Sequence, residues 1–434
     1  MAFGTLGAQS YLSLDEALRE ALSNNYGIQV ASYNVQTADN NAHPGNARLL
    51  PSVTLNGNAN YNNNNATADL LTGTDPTTGA PITREQSITG LATSSASASV
   101  RVDYTVFDGL GNVYTYRVLQ SNAALTREQT RSLVEQTLYQ VAVVYNQLAR
   151  LTTTRAIQAA SMDISRTRLA RVRNQATFGA SNQLAVLNAE VDINSDSIGL
   201  AQTDLNLANA RRDLNLLLGR EIEAVYAVDT TVQFRSDYDW DLLAQQVREN
   251  NALLKSADLG RQVSELNLRV AQAARYPRLA VNASYGYNYA NNGPISFART
   301  IESYGLAAGA SLSFNIFNGG QTSRSIQNAE VSLASSRVQY REAEQEVLRD
   351  LAKTYASFQH NLQALALTQK SLDAARLNFE RTREAFNLGQ SNSVEFRTAQ
   401  INLLLTENEL NNIRFDIKLN EMDMLRLSGQ LVSE

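Results

Sequence analysis

Cysteine is absent from this chain of 434 residues, which excludes disulfides and thiol chemistry. Histidine is scarce: the chain has only His43 and His360, which lie far apart in the sequence. Without a histidine near a candidate serine and aspartate, no hydrolytic triad is indicated. The four methionines form no copper-binding array, and no glycine-rich phosphate loop precedes a helix. The sequence therefore predicts no catalytic residues, no metal site and no cofactor, and a protein that is not an enzyme.

An excess of basic charge and long apolar runs are missing as well. The net charge of −5 and the isoelectric point of about 5.4 argue against nucleic acid as a partner. No segment approaches the ~18 consecutive apolar residues that a transmembrane helix needs. The mean hydropathy of −0.29 is still compatible with a membrane protein built of strands, in which only alternate residues meet lipid.

The sequence repeats itself in two halves. Phe107-Asp108-Gly109 returns as Phe317-Asn318-Gly319, and the same spacing relates Tyr145 to Tyr355 and Gly179 to Gly389. Asn24-Asn25 and Pro51 likewise return as Asn250-Asn251 and Pro277. The pattern predicts two tandem structural repeats, residues 12–219 and 240–430, joined by a linker at 220–239.

Each repeat contains two segments of alternating polarity, which predict a β-hairpin at about 51–107 and another at about 277–317. One face of the strands is apolar and the other carries small polar side chains, and each strand of ~10 residues is long enough to cross a bilayer. The tips of the hairpins, residues 62–92 and 290–303, are polar and rich in turn-forming residues, and we expect loops there.

A half-buried soluble sheet shows the same alternation, so the strands alone leave both possibilities open. Aromatic side chains near the strand ends, such as Tyr61, Tyr104 and Tyr289, favour a membrane, because barrels carry aromatic girdles at both interfaces. Four strands cannot close a barrel in lipid, since an open edge leaves backbone groups unpaired. Three chains would supply twelve strands. The pattern therefore predicts an oligomer that contacts lipid.

Long helices are predicted after each hairpin, at about 110–177 and 320–387, because both segments lack proline and carry an apolar seam. Each is followed by a turn, at about 178–183 and 388–393, and by a returning helix about half as long. The leading helices, at about 14–42 and 240–275, are expected to stack end to end on the returning helices. Together the two shorter helices would match the length of the long helix.

The ordered set of motifs resembles the TolC family of bacterial outer-membrane efflux proteins. It consists of Leu14-Asp15-Glu16-Ala17-Leu18, Leu50-Pro51-Ser52, Phe-(Asp/Asn)-Gly after a strand, and the turns Phe178-Gly179-Ala180-Ser181 and Leu388-Gly389-Gln390-Ser391. The resemblance implies a membrane α+β protein, a homotrimer whose twelve-stranded β-barrel in the outer membrane, four strands per chain, continues into a long α-helical barrel across the periplasm. It also implies outer-membrane lipid, a periplasmic adaptor (membrane-fusion) protein and an inner-membrane pump of the resistance-nodulation-division, ABC or major-facilitator type as partners.

Candidate site residues follow from the same resemblance. The two turns would be the adaptor-docking tips: Phe178, Gly179, Ala180, Ser181, Leu388, Gly389, Gln390 and Ser391. Acidic residues after the turn glycine ring the closed entrance in the family, and Glu395 stands at a matching position, whereas Ala185 replaces it in the first repeat. Glu395 is therefore a candidate for a periplasmic gate, or an acid that only supports the start of its helix.

Two functions remain open at this stage. The preferred one is the outer-membrane exit duct of a tripartite export system, which passively conducts drugs, metals or secreted polypeptides. The alternative is a periplasmic coiled-coil scaffold or adaptor with a small soluble sheet. Residues 1–10 resemble the end of a signal peptide, and a native start without regular structure is the other interpretation.

Overall fold

The computed structural model describes residues 11–179, 181–293 and 296–431. The predicted signal-peptide remnant at 1–10 and the predicted tip residue Ala180 lie outside the described residues. The elements, in chain order, are β1 (Tyr11–Leu12), α1 (Leu14–Asn24), α2 (Tyr26–Asn41), β2 (Ser52–Thr74), β3 (Pro81–Phe107), α3 (Gly111–Thr177), α4 (Gln183–Leu218), β4 (Ala227–Val228), α5 (Trp240–Asn250), α6 (Ala252–Ala273), β5 (Arg278–Asn291), β6 (Thr300–Ser313), α7 (Gln321–Asn387) and α8 (Ser393–Leu427).

The chain divides into two compact units that each take segments from both halves of the sequence. The helical unit comprises Met1–Ala38, Ala123–Arg261 and Ser336–Glu434, and the sheet unit comprises Asp39–Asn122 and Gln262–Ser335. The sequence repeats are therefore not compact units by themselves.

The sheet unit contains four antiparallel strands in the order β2-β3-β5-β6. Their register places apolar side chains side by side across the sheet: Leu55 pairs with Val100, Val100 with Tyr285, and Tyr285 with Leu306. The neighbouring positions are polar, as in Asn56 opposite Ser99. Because side chains alternate between the faces of a strand, one face of the sheet is apolar and the other is polar.

The first hairpin is longer than the alternation predicts. Strands β2 and β3 contain 23 and 27 residues, whereas β5 and β6 contain 14 each. Most of the segment 62–92, expected to be a loop, continues the β2-β3 ladder, with register shifts between Asn64 and Ala66 and between Leu71 and Gly73. The expectation of a loop was wrong, because the two strands of this segment pair residue by residue although they lack a regular apolar alternation.

Each long helix forms an antiparallel hairpin with the helix that follows it, and most of both hairpins lies in the helical unit. Helices α3 and α7 contain 67 residues each, and α4 and α8 contain 36 and 35. The apolar seams are buried, as the heptad spacing predicts: Leu138, Val141, Tyr145 and Leu148 on α3, and Leu351 and Phe358 on α7. The Tyr145 hydroxyl donates to the Leu12 carbonyl (2.9 Å) and accepts from the Asp229 amide (3.0 Å), and burial raises its pKa to about 12.

The leading helices were each expected to be continuous, and both are interrupted. Asn25 and Asn251 take extended backbone angles between α1 and α2 and between α5 and α6. Each amide side chain donates to the end of a returning helix, Asn25 to the Leu217 carbonyl and Asn251 to the Leu427 carbonyl, both at 2.8 Å. The oxygen of each amide accepts the amide hydrogen three residues later, which starts the second helix. The break therefore results from a specific contact.

Among the helices in the described ranges, none has a stretch apolar enough to cross a membrane.

Candidate functional site at the hairpin tips

The two helical hairpins end in similar turns within the helical unit. Gly179 and Gly389 have φ angles of +75° and +73°, a conformation that costs side-chain-bearing residues about 1–2 kcal/mol. A Cβ atom added at either glycine would meet no atom within 4 Å. The preceding Phe178 and Leu388 are 86% and 73% exposed. Each tip thus presents one large apolar side chain next to an open glycine.

Asparagine caps the helix that follows each turn. The Asn182 side chain accepts the Ala185 amide hydrogen (2.9 Å), and the Asn392 side chain accepts those of Val394 (3.0 Å) and Glu395 (2.9 Å). Such caps satisfy amide groups that the first helical turn leaves unpaired. Ser181, Gln390 and Ser391 complete the turns, with the Gln390 amide donating to the Ala385 carbonyl (2.8 Å).

Glu395 closes a capping box at the start of α8. Its carboxylate accepts the Ser391 hydroxyl hydrogen (2.7 Å) and the Asn392 amide hydrogen (3.2 Å), and these bonds lower its pKa. Since the bonds stabilise the ionised form, their contribution is present above the ordinary glutamate pKa and is lost as the pH falls through the lowered one. The capping role is thus visible within one chain, and the ring of three Glu395 carboxylates stays a prediction.

An ionic network, largely buried and not predicted from the sequence, joins the two hairpins behind the tips. Arg397 on α8 donates to both carboxylate oxygens of Asp196 on α4, at 2.6 and 2.9 Å. Arg168 on α3 pairs with Asp192 on α4 and donates to the Ser393 carbonyl of α8 (3.2 Å). The Arg168 side chain is only 2% exposed. We call Arg168, Asp192, Asp196 and Arg397 the tip network.

Neutral polar groups extend the tip network. Buried Gln400 on α8 donates to the Ser161 carbonyl (2.8 Å) and to the Ser165 hydroxyl (2.9 Å) on α3. The Ser165 hydroxyl donates to Asp196 (2.6 Å), so that its oxygen links the amide to the carboxylate. Because these groups are buried and mutually bonded, removal of one leaves the others unsatisfied.

One sequence signal for the tip network was available. Asp192 and Asp196 are four residues apart, which places two like charges on one helix face. Such a pair is unfavourable unless cations approach it from another element. The partner Arg397 is 201 positions away from Asp196, so the contact depends on the tertiary fold.

A cleft of about 1500 Å³ lies between the two tips. Its lining includes Arg168, Asp192 and Arg397 of the tip network, and Gly179, Gly389 and Glu395 at or near the turns. Within the described part of the chain, no group of three or more His, Cys, Asp or Glu side chains is arranged to hold a metal ion. The structure therefore brings the two predicted tips together around a polar cleft and adds the tip network behind them.

Comparison with known proteins agrees with this architecture. The model of the outer membrane efflux protein family matches residues 17–220 and 243–430. The cation efflux system protein CusC of Escherichia coli is 24% identical over 95% of this chain and 85% of its own length. The outer membrane protein TolC of Vibrio cholerae is 23% identical over 52% of either chain, so that match spans about half of that relative.

Solved structures show the same fold. A crystal structure of CusC superposes with a TM-score of 0.77 over 96% of this chain and 92% of that chain, at 19% sequence identity. The family consists of channel and transport proteins of the outer membrane, and its model matches both halves of this sequence. The chain therefore belongs to the outer membrane efflux protein family, the family of TolC and CusC.

Proposed function

We propose that three copies of this chain form the exit duct of a tripartite export system. Three sheet units would close a twelve-stranded barrel in the outer membrane, and three helical units would line a passage in the periplasm. A periplasmic adaptor and an inner-membrane pump of the resistance-nodulation-division, ABC or major-facilitator type would supply substrate and energy, and the duct would be passive. The relative CusC belongs by its name to a cation efflux system, and drugs and secreted polypeptides are the other candidate cargoes.

The apolar band on the sheet is the observation that carries this proposal. Along β5 the band runs from Leu279 to Tyr289, ten steps of ~3.3 Å, which gives ~33 Å along the strand. With the usual barrel tilt of about 45° this corresponds to ~23 Å, close to the ~25 Å apolar band of outer-membrane barrels. Tyr285, Tyr287 and Tyr304 are exposed in this chain, although their large apolar rings favour burial.

Unpaired strand edges argue for the trimer. Strands β2 and β6 are at the two ends of the sheet, so each has one edge without a partner strand among the described residues. Lipid offers no hydrogen bonds to such edges, which makes pairing between β2 of one copy and β6 of the next the way to close them. The scaffold alternative needs neither the pairing nor the exposed band.

Assembly provides the test. Protein extracted from outer membranes with detergent should run on gels as a trimer, and boiling should dissociate this trimer. The same protein should form channels in planar lipid bilayers. A monodisperse monomer that stays soluble without detergent would contradict the duct and favour the scaffold.

Gly389→Asp should reduce export at least tenfold, because it adds a charge to the exposed tip that we assign to the adaptor. Gly389→Asn is the matched control: asparagine has the same shape, tolerates positive φ equally well and carries no charge. We expect Asn to retain most of the export and both variants to form trimers in normal yield. The measurement is drug or metal susceptibility in cells that depend on this protein. Export at the wild-type level in Gly389→Asp would show that this tip is not part of the docking surface.

Glu395→Gln should lower the cation preference of the channel if three carboxylates meet at the entrance. Glutamine can still close the capping box, so the start of α8 and the trimer yield should not change. Reversal potentials in a salt gradient measure the preference, and the difference should shrink as salt screens the charges. Identical potentials in wild type and variant would leave Glu395 with the capping role alone.

A further inference from the structure

The polar face of the sheet is almost free of charge where all four strands pair. It carries amide, hydroxyl and small side chains, such as Asn282, Ser284 and Asn288 on β5 and Ser97 and Ser99 on β3. In the described region where all four strands pair, charged residues on this face are found only near the end of the strands that adjoins α3 and α6. They are Arg101 and Asp103 on β3 and Arg278 on β5.

Two of these charges neutralise each other. The Arg101 Nε atom donates to both carboxylate oxygens of Asp103, at 3.0 and 2.8 Å. The register pairs Arg101 with Ser284 and Asp103 with Asn282, so the ion pair has neutral neighbours on β5. Both side chains are about half exposed, which means that they project from the polar face into solvent.

The third charge is not compensated. Arg278 Nη2 donates to the Thr105 hydroxyl oxygen at 3.1 Å, and a hydroxyl carries no charge. Among the described residues Arg278 forms no ion pair. Thr105 follows Asp103 by two positions on the same face, so the three charged side chains form one short row across β3 and β5. The row has a net charge of about +1.

We propose that this row forms a cation ring in the barrel lumen that favours anionic solutes, such as organic acids and small anions, over free cations. The inference rests on the proposed trimeric duct, in which the polar faces of three sheets would line the lumen. Three copies would contribute three uncompensated charges at one level of the passage. A twelve-stranded barrel has a backbone radius of roughly 12 Å, so solutes pass within about one Debye length of the ring at 0.1 M salt.

Two substitutions with opposite expected effects test the ring. Arg278→Gln removes the uncompensated charge and should lower the chloride-to-potassium permeability ratio by about twofold in dilute salt. Asp103→Asn frees the charge of Arg101 and should raise the ratio by a similar factor. The readout is the reversal potential of single channels in a potassium chloride gradient, measured relative to wild type, so that a constant contribution from Glu395 cancels.

Arg299→Gln is the matched control for the lost charge. Arg299 lies beyond β5 at the other end of the strands, where its carbonyl accepts the Asn292 amide hydrogen (2.9 Å). Its substitution should leave the permeability ratio within experimental error of wild type. Equal shifts with Arg278→Gln and Arg299→Gln, or shifts of the same sign with Arg278→Gln and Asp103→Asn, would overturn the ring.

Failure of the duct itself has a different signature. If wild-type protein forms neither trimers nor channels, the proposed function is wrong, and the proposal of a cation ring is wrong as well. If wild-type channels are normal and the variants leave the permeability ratio unchanged, only the ring is wrong. Trimer yield of each variant on unboiled gels shows whether the assembly is intact.

Discussion

Arg397→Gln should loosen the contact between the two hairpin tips and increase the channel's open probability at rest. The substitution leaves Asp196, which is 12% exposed, without the cation that donates to both of its oxygens. Breaking a buried ion pair from one side costs about 3–5 kcal/mol. Hydrogen exchange in residues 385–400 and 185–200 should therefore accelerate by at least about a hundredfold if the tips open locally.

Arg376→Gln is the control for this experiment. Arg376 pairs with Glu407 at 3.1 Å and is 53% exposed, so its loss should cost less than about 1 kcal/mol. A double-mutant cycle with Asp196→Asn should show coupling between positions 196 and 397, because the two side chains contact directly. Exchange rates that change equally in Arg397→Gln and Arg376→Gln would contradict a structural role of the tip network.

Gly429→Ala should strongly destabilise the helical unit. Gly429 has a φ of +70°, and an added Cβ would approach the Asn250 carbonyl oxygen to 2.6 Å and the Arg131 guanidinium to 2.9 Å. The guanidinium cannot simply withdraw, because it donates to the Asn250 carbonyl at 2.8 Å. Backbone strain and the clash together should cost about 2–5 kcal/mol. The midpoint of thermal unfolding, followed by circular dichroism, should fall by several degrees.

Gly179→Ala separates strain from clash. Gly179 has nearly the same φ, +75°, but no atom within 4 Å of the added Cβ. It should cost only about 1–2 kcal/mol. Gly219→Ala should resemble Gly429→Ala, because its Cβ would approach the Asn24 carbonyl oxygen to 2.7 Å. Similar midpoints for Gly429→Ala and Gly179→Ala would show that the close approach at Gly429 relaxes without cost.

The periodicity of apolar residues is the part of the fold that the sequence predicts well. The heptad seam around Tyr145 follows from which side chains must avoid water, and the alternation around Val100 follows from the two faces of a strand. The buried Leu138 and Leu148 and the cross-strand pair of Val100 with Tyr285 agree with those patterns. Both signals are local, so a single sequence is sufficient to find them.

Features that depend on a single long-range bond were missed. Nothing near Asn25 or Asn251 distinguishes a helix break from a polar residue on a continuous helix, since the bonds to Leu217 and Leu427 appear only in the folded chain. The extended β2-β3 ribbon was missed for a related reason. The part of the ribbon farthest from the helices lacks a regular apolar alternation. Periodicity therefore does not predict the pairing of Asp69 with Glu85 or of the residues beside them.

The candidate site shows the same division. The tips were predicted from turn residues, because glycine and asparagine have local conformational reasons to be there. The tip network was not, because Arg168 and Arg397 resemble ordinary helix-surface arginines in the sequence. Their burial is a tertiary property, because both guanidinium groups form ion pairs with Asp192 or Asp196 on α4.

The central claim is that three sheet units close one barrel, and single-particle electron cryo-microscopy of the detergent-purified protein tests it most directly. We predict threefold particles in which β2 of each copy pairs with β6 of the next, giving twelve strands with the Tyr285 face outward. A monomeric particle with an open four-stranded sheet, or a closed barrel with the Tyr285 face inward, would contradict the account.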